Sequence, residues 1–230
     1  MGYVSFRGVS TETLGVWIAK GGMPPHMKAK TRATEYEIPG RNGAVHVIDG
    51  YSPFDLPVTL QMLRNDAHTR QVINAWADGS GVLFSSDDPD RVWEATVLHG
   101  VEYKRAEYGG KYYDTAKVIF RCQPFMRERV PEVVTLTAAG TLRNKGNVEA
   151  LPEIVLYGNG DCTLTVGSET ITLEGVSGSV TIDSVAGYVY SPSGAVAMKG
   201  EFPVLGLGDT AVSFSGGVQQ VQITPRWGWV

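Results

Sequence analysis

CQPFMRERVPEVVTLTAAGTLRNKGNVEALPEIVLYGNG, running from Cys122 to Gly160, separates two textures of chain. Pro124 and Pro131 bracket the charged cluster Arg127-Glu128-Arg129, and Pro152 sits further on within an Asn/Gly-rich passage. Proline removes a backbone donor and biases the residue before it away from helix, so regular structure does not run straight through such a passage. Upstream the chain is mixed, with most of the charge and the one helical pattern. Downstream it becomes short Val/Ile/Thr runs separated by Gly and Ser, with no helical period. The stretch reads as the seam between a domain at 1–130 and a second at 131–230.

Composition points the same way. A chain of 230 residues can bury two ordinary cores. Glycine, at 28 residues, is well above the roughly 7% expected, and helix-favouring Ala/Leu/Glu/Lys blocks are missing, so the expected class is mainly β and rich in tight turns. Net charge is −4 and no basic run occurs, which argues against a protein that grips nucleic-acid phosphates. Two cysteines, Cys122 and Cys162, are too few for a disulfide framework and read as small buried apolar residues of a reducing compartment. The N-terminus has no signal-peptide pattern, Phe6 occupies the place where a myristoylation motif needs Ser or Thr, and no run approaches the ~20 apolar residues of a membrane span. The expectation is a soluble protein made in a cytoplasm.

In the first domain, Tyr3 to Val9 and Leu14 to Ile18 read as a hairpin joined by Ser10-Thr11-Glu12-Thr13. Ala29 to Ile38 and Ala44 to Ile48 read as strands around Pro39-Gly40-Arg41-Asn42-Gly43, where a proline followed by glycines calls for a tight turn. Asp49-Gly50 is expected to turn before a strand at Leu56 to Met62. Residues 65–78 carry an N-cap in Asn65 or Asp66, an apolar face of Val72, Ile73 and Trp76, and Gly79 as terminator: one amphipathic helix. Strands at Val82 to Phe84, Val92 to Leu98 and Glu102 to Arg105 follow, and Gly109-Gly110 turns into Tyr113 to Cys122. The whole is a β-sandwich or half-barrel with one helix. Beyond the seam, Glu153–Tyr157, Cys162–Val166, Thr170–Leu173, Val180–Asp183, Val189–Tyr190, Phe202–Val204, Val212–Phe214 and Val218–Thr224 read as evenly spaced short strands of a second antiparallel sandwich.

Catalytic signatures are absent. Gly175-Val176-Ser177-Gly178-Ser179 fails the nucleophile-elbow pattern at its last residue and reads as a flexible turn. Gly158-Asn159-Gly160 and Gly206-Leu207-Gly208 start a dinucleotide fingerprint but lack its third glycine, and read as hairpin turns. His26, His46, His68 and His99 do not fall at zinc-ligand spacing, and Asp87, Asp88 and Asp90 around Pro89 lack a calcium-loop spacing. No metal, cofactor or enzymatic activity is expected. Tyr108, Tyr112, Tyr113, Trp227 and Trp229 are the aromatics available for stacking on a sugar, with strand filling as the competing role.

Taken in order, these pieces resemble the distal tail protein (Dit) family of long-tailed, non-contractile bacteriophages. Val4-Ser5-Phe6-Arg7-Gly8-Val9-Ser10 with Leu14-Gly15-Val16 resembles the family's opening hairpin, Ile38 to Gly43 its glycine turn, and Ile73-Asn74-Ala75-Trp76 its helix. Asn144-Lys145-Gly146-Asn147, Pro152-Glu153-Ile154 and Gly158-Asn159-Gly160 resemble the start of its second domain. Val180-Thr181-Ile182-Asp183, Phe202-Pro203-Val204-Leu205, Gly208 and Ile223-Thr224-Pro225-Arg226 resemble its close.

The resemblance implies a structural virion protein at the tail tip, assembled in the host bacterial cytoplasm. A homo-hexameric ring of N-terminal domains would join the tail tube protein to the adhesion device, with DNA passing through without specific binding and no membrane insertion. A galectin-like C-terminal sandwich would face outward, toward tail fibre or receptor-binding proteins. Pro39, Gly40, Arg41 and Gly43 are the candidate interface residues, and six copies at −4 each would make an acidic or neutral bore. The alternative function is a carbohydrate-binding module in host recognition, with Trp227 and Trp229 as stacking rings; the only Trp-Gly pair, Trp227-Gly228, is followed by Trp229 and Val230 rather than by the polar residues a galectin-type site needs.

Overall fold

The computed structural model describes residues 2–24, 27–108 and 111–230, with the backbone alone at 106, 108 and 111. Pro25, His26 and the Gly109-Gly110 turn lie outside the described residues. The chain divides into two compact units, one up to Arg129 and the other from Val130 to Trp229.

The first unit contains β1 (Val4–Phe6), β2 (Val9–Ser10), β3 (Val16–Ile18), β4 (Thr31–Glu37), β5 (Ala44–Tyr51) and β6 (Phe54–Met62), then helix α1 (Ala67–Trp76). It continues with β7 (Gly79–Ser85), β8 (Asp88–Val97), β9 (Glu102–Tyr108), β10 (Lys111–Cys122) and β11 (Met126–Glu128). Its main sheet is a curled, antiparallel half-barrel in the order β2-β1-β7-β8-β10-β6-β3, with β9 on β10 and β11 on β8. Strict alternation builds its inner face: Leu56, Val58 and Leu60 of β6 and Ala116, Val118, Phe120 and Cys122 of β10 are all buried, while Thr59, Lys117, Ile119 and Arg121 face the other way.

Helix α1 lies over this face because its own apolar stripe, Ile73 and Trp76, needs cover. The Trp76 ring meets Phe6 and Phe120 edge-on at centroid distances of 6.2 and 5.9 Å, and its indole N–H donates to the Val9 carbonyl at 3.0 Å. Asp66 caps the helix, its carboxylate accepting the Thr69 amide at 2.7 Å.

The second unit is built on three long strands, β14 (Glu153–Val166), β15 (Glu169–Asp183) and β18 (Asp209–Thr224), in the order β15-β14-β18. Four shorter strands, β12 (Val134–Leu136), β13 (Gly140–Arg143), β16 (Tyr188–Tyr190) and β17 (Ala197–Lys199), flank them. β13 and β17 pair with one half of the long strands, β12 and β16 with the other. Ile154, Leu156, Val180, Ile182, Val221 and Ile223 of one half share a single buried core with Leu164, Val166, Ile171, Leu173 and Val212 of the other. The ribbon therefore folds over onto itself.

Glycine makes that fold possible. Gly158 pairs with Gly178 on one side and Val218 on the other, and Cys162 with Gly216, so the glycines line up across all three strands. A β-carbon at Gly216 or Gly217 would run into the backbone carbonyls of Asp161 and Asn159. The side chains of Asn159 and Asp161 accept the amides of Gly178 and Gly175, which the distorted ladder frees.

Several sequence expectations are corrected. The opening hairpin is β1–β2 around Arg7-Gly8, because Ser10 caps a short 3₁₀ turn at Thr11–Leu14 that delivers β3 to the far edge, onto β6. Asp49-Gly50 is a bulge inside β5, not a turn. Ala77, not Gly79, ends α1, and Gly79 begins β7. Gly158-Asn159-Gly160 and Gly175 to Ser179 are bends within β14 and β15, so six of the expected short strands are halves of three. Phe202 to Val204 forms no strand; Leu205 instead bridges Ala150, and β17 takes a place the sequence reading left empty. Gly206-Leu207-Gly208 is a bend leading into β18, with the Gly208 carbonyl accepting the Asn144 amide.

Candidate functional site: an exposed ribbon and an aromatic sheet face

Two surfaces stand out because the fold leaves them uncovered. The first is the β4–β5 ribbon, a two-stranded sheet separate from the main one. Its tip is the turn expected from sequence: Pro39 and Gly40 (φ +80°) occupy the two central positions, and the Arg41 amide closes onto the Ile38 carbonyl at 3.1 Å. Proline presets φ at the first position and glycine is favoured at the positive-φ second, which is the chemistry of a type II turn. Pro39, Gly40, Arg41 and Gly43 are all exposed there. At the base, Tyr51 packs edge-on against Phe125 at 5.4 Å and the Ser52 amide reaches the Lys30 carbonyl, while Arg32 pairs with Asp49.

Cross-strand register sorts the ribbon's side chains onto two faces, one mostly apolar and one mixed, the mixed face also holding Ile48, 67% exposed and paired with Ala33. Thr34 opposes Val47 and Tyr36 opposes Val45, with Ile38 continuing the same side; Glu35 opposes His46 and Glu37 opposes Ala44 on the other. The apolar side is bare: Tyr36, Ile38 and Val47 are 55%, 46% and 50% exposed. The turn is expected from sequence; the stripe is not among those expectations. The alternation that encodes it, in Thr34-Glu35-Tyr36-Glu37-Ile38 and Val45-His46-Val47, was legible.

The second surface is the outward face of one half of the second unit. Val155, Thr181 and Tyr190 lie side by side across β14, β15 and β16, with Tyr157 two residues along β14 and Tyr188 two along β16. Tyr157, Tyr188 and Tyr190 are exposed, and the Tyr157 hydroxyl reaches the Gln222 side chain at 3.3 Å. Trp227, by contrast, is 2% exposed and belongs to the core, and Trp229 packs against that core. Trp227 therefore presents no ring face to a sugar, and Trp229 is partly covered. Tyr112 and Tyr113 fall on opposite faces of β10, and Tyr108 is described by its backbone alone.

A part-buried polar cluster lies beside this face. Arg226, held at φ +58°, makes a two-point pair with Asp183 and also binds Glu153. The guanidinium, together with the Val185 and Ala186 amides, holds the Asp183 carboxyl down at about 2. Its groups are mutually satisfied, which suits a structural clamp. Cys122 and Cys162 are free and buried, and burial pushes the Cys122 thiol up to about 12, far from a reactive thiolate. Among the described residues no three His, Cys, Asp or Glu side chains gather at metal-binding distance, and no helix is long and apolar enough to cross a membrane.

Charge is divided unevenly. Residues 1–129 carry sixteen Lys/Arg against fifteen Asp/Glu, and residues 130–229 four against nine. The acidic balance belongs to the second unit.

No protein-family model matches the chain, and no curated protein matches it. Among solved structures, the SPP1 Dit protein (gp 19.1), described as a paradigm of the hub adsorption apparatus in phages infecting Gram-positive bacteria, superposes with a TM-score of 0.79 over 100% of both chains at 13% identity. The chain has the Dit fold. A looser likeness, with a TM-score of 0.43 at 7% identity over 96% of this chain and 98% of the other, is to a chain of the phage p2 baseplate in its activated, strontium-containing form. The agreement with the Dit fold extends over the residues of both units.

Proposed function

We propose that this chain is a distal tail hub subunit of a long-tailed phage. Six copies close into a ring through their first units, one ring face meeting the tail tube and the other the adhesion device, and DNA passes through the centre. The second, galectin-like unit faces outward toward tail fibre or receptor-binding proteins. The protein works by shape at the virion tail tip after assembly in the host cytoplasm, and transforms no substrate.

The full-length agreement with the Dit fold carries this reading. The exposed ribbon supports it, because a bare apolar strand pair calls for a partner. The near balance of charge in residues 1–129 also fits a conduit: such a wall sets up no strong field to hold phosphates. Negative-stain electron microscopy of the concentrated protein tests it. Sixfold rings with a central opening are expected; open filaments or single globules would contradict it.

A second reading is favoured by the tyrosines of the outward sheet face. Tyr157, Tyr188 and Tyr190 together with Gln220, Gln222, Ser179 and Thr181 offer rings and neutral hydrogen-bonding groups, a composition suited to a neutral glycan. Affinity electrophoresis through neutral polysaccharides decides it: retardation that disappears in Tyr190→Ala supports a host-glycan contact, and unretarded migration removes it.

A further inference from the structure

Asparagine is followed by glycine at two places in the chain, Asn42-Gly43 and Asn159-Gly160. Glycine has no β-carbon to screen its backbone nitrogen, so that nitrogen is open to reaction with the amide side chain just before it. The fold treats the two pairs in opposite ways.

Asn42 and Gly43 lie between the Ile38–Arg41 turn and Ala44, the first residue of β5, and both are exposed. Among the described residues nothing hydrogen-bonds the Asn42 side chain. Gly43 stands at φ +81°, and a β-carbon there would meet no atom within 4 Å beyond its chain neighbours. Both residues line a depression of about 440 Å³ at the ribbon tip, shared with Glu35, Glu37 and Arg41, so water reaches them. Closing a ring from the side chain onto the next nitrogen turns the asparagine about its Cα–C bond, to a ψ outside the helical and extended regions. At the tip no ladder opposes that rotation.

Asn159 is held. It lies inside β14 opposite Ser177 of β15, and its side-chain oxygen accepts the Gly178 amide at 3.3 Å. On the other side β18 comes so close that a β-carbon on Gly217 would overlap the Asn159 carbonyl. Rotation there breaks the ladder where three strands bend together.

We infer that Asn42 is a site of spontaneous deamidation in the folded chain, and that β14 protects Asn159 from the same reaction. The Gly43 nitrogen loses its proton to hydroxide and bonds to the Asn42 side-chain carbonyl carbon. The bond from that carbon to Nδ2 breaks, and the nitrogen leaves as ammonia after taking a proton from water. A second water opens the succinimide by breaking the ring nitrogen's bond to one of its two carbonyl carbons. Breaking the bond to the side-chain carbon leaves aspartate in a normal backbone; breaking the bond to the backbone carbon leaves an isoaspartyl link. Water enters and ammonia leaves, with no oxidant or enzyme. The tip, which carries Glu35 and Glu37 against Arg41, gains a carboxylate, and the isoaspartyl form also adds a methylene to the backbone beside the Glu37–Ala44 pair.

Incubation of the full chain at mildly alkaline pH, followed by pepsin digestion in acid and mass spectrometry, reads both sites in one sample. Chromatography separates the aspartyl and isoaspartyl forms of each peptide. The Asn42 peptide is expected to convert progressively, with isoaspartate in excess and ammonia released in step. The Asn159 peptide is expected to stay unconverted until urea unfolds the chain, and then to convert as well. Gly43→Ala, which sets a β-carbon beside the attacking nitrogen, should slow conversion at Asn42 at least about tenfold, and Asn42→Gln should leave the tip unconverted. An Asn42 that stays intact in the folded chain while the same segment deamidates as a free peptide overturns the assignment, because the fold then protects the tip. Equal conversion of Asn42 and Asn159 without urea overturns the protection by β14, and aspartate formed without isoaspartate overturns the succinimide step.

Discussion

Arg226 holds Asp183 at two points, Nη1 to Oδ1 at 2.8 Å and Nη2 to Oδ2 at 3.0 Å, and the same guanidinium binds Glu153. The pair ties the chain end beyond β18 to the ends of β14 and β15. Asp183, mostly buried, titrates at about 2 in the folded chain, against 3.8 when free. A carboxylate depressed in this way stabilises the fold fully above about pH 4, and the contribution fades as pH falls toward 2. It is worth on the order of 2 kcal/mol. Melts at pH 7, 4 and 2.5 should show a loss of stability in that window, and Asp183→Asn should flatten this part of the profile. Arg226→Ala, which strands the carboxylate, should cost about 2 kcal/mol or more at pH 7.

Gly217→Ala should be among the most damaging single-atom changes in the chain. The new β-carbon meets the Asn159 carbonyl where β14 and β18 bend together, and rigid backbone stands on both sides. A loss of about 3 kcal/mol or more is expected from forced strain of this kind. Urea denaturation followed by fluorescence of Trp227, in the core of the same unit, measures it; a loss below 1 kcal/mol would mean that the three strands do not bend on glycine.

Gly40→Ala tests the ribbon turn. The position sits at φ +80° with open space around it, so the cost is conformational alone, about 1 kcal/mol. Overall thermal stability should barely change, since the ribbon pairs with no other strand. Amide exchange in β4 and β5 should quicken several-fold.

Trp227→Ala should destabilise the second unit by about 3–5 kcal/mol, as expected for a fully buried indole. Among the described residues its buried N–H has no hydrogen-bond partner, so Trp227→Phe should recover much of the loss. Tyr190→Ala, on the outward face, should leave stability within about 0.5 kcal/mol of the wild type. Denaturant titrations of the three variants rank them.

Much of this architecture could be read in the residues, and where reading failed the cause was physical. Alternation in β6 and β10 and the stripe of Ile73 and Trp76 were legible because each element packs only one face against a core. The long strands of the second unit were not, because Gly158, Gly178 and Gly216-Gly217 carry the composition of turns; only their alignment across three strands reveals a shared bend. Strand partners of β3 were equally hidden, since a 3₁₀ turn capped by Ser10 looks locally like a hairpin loop. The Pro39-Gly40 turn was visible as turn chemistry, whereas the bare stripe beside it needed the register. Burial of Trp227 was hidden as well, because an aromatic residue near the end of the sequence gives no sign of which core it enters.

Sedimentation of the purified full-length chain over a range from micromolar to several hundred micromolar measures the central claim most directly, since assembly follows mass action. The ring account predicts a mass that rises to a plateau at six copies of the 24.8 kDa chain, about 149 kDa, and moves no further. A mass fixed at one copy throughout, or one that climbs without a plateau, would contradict it.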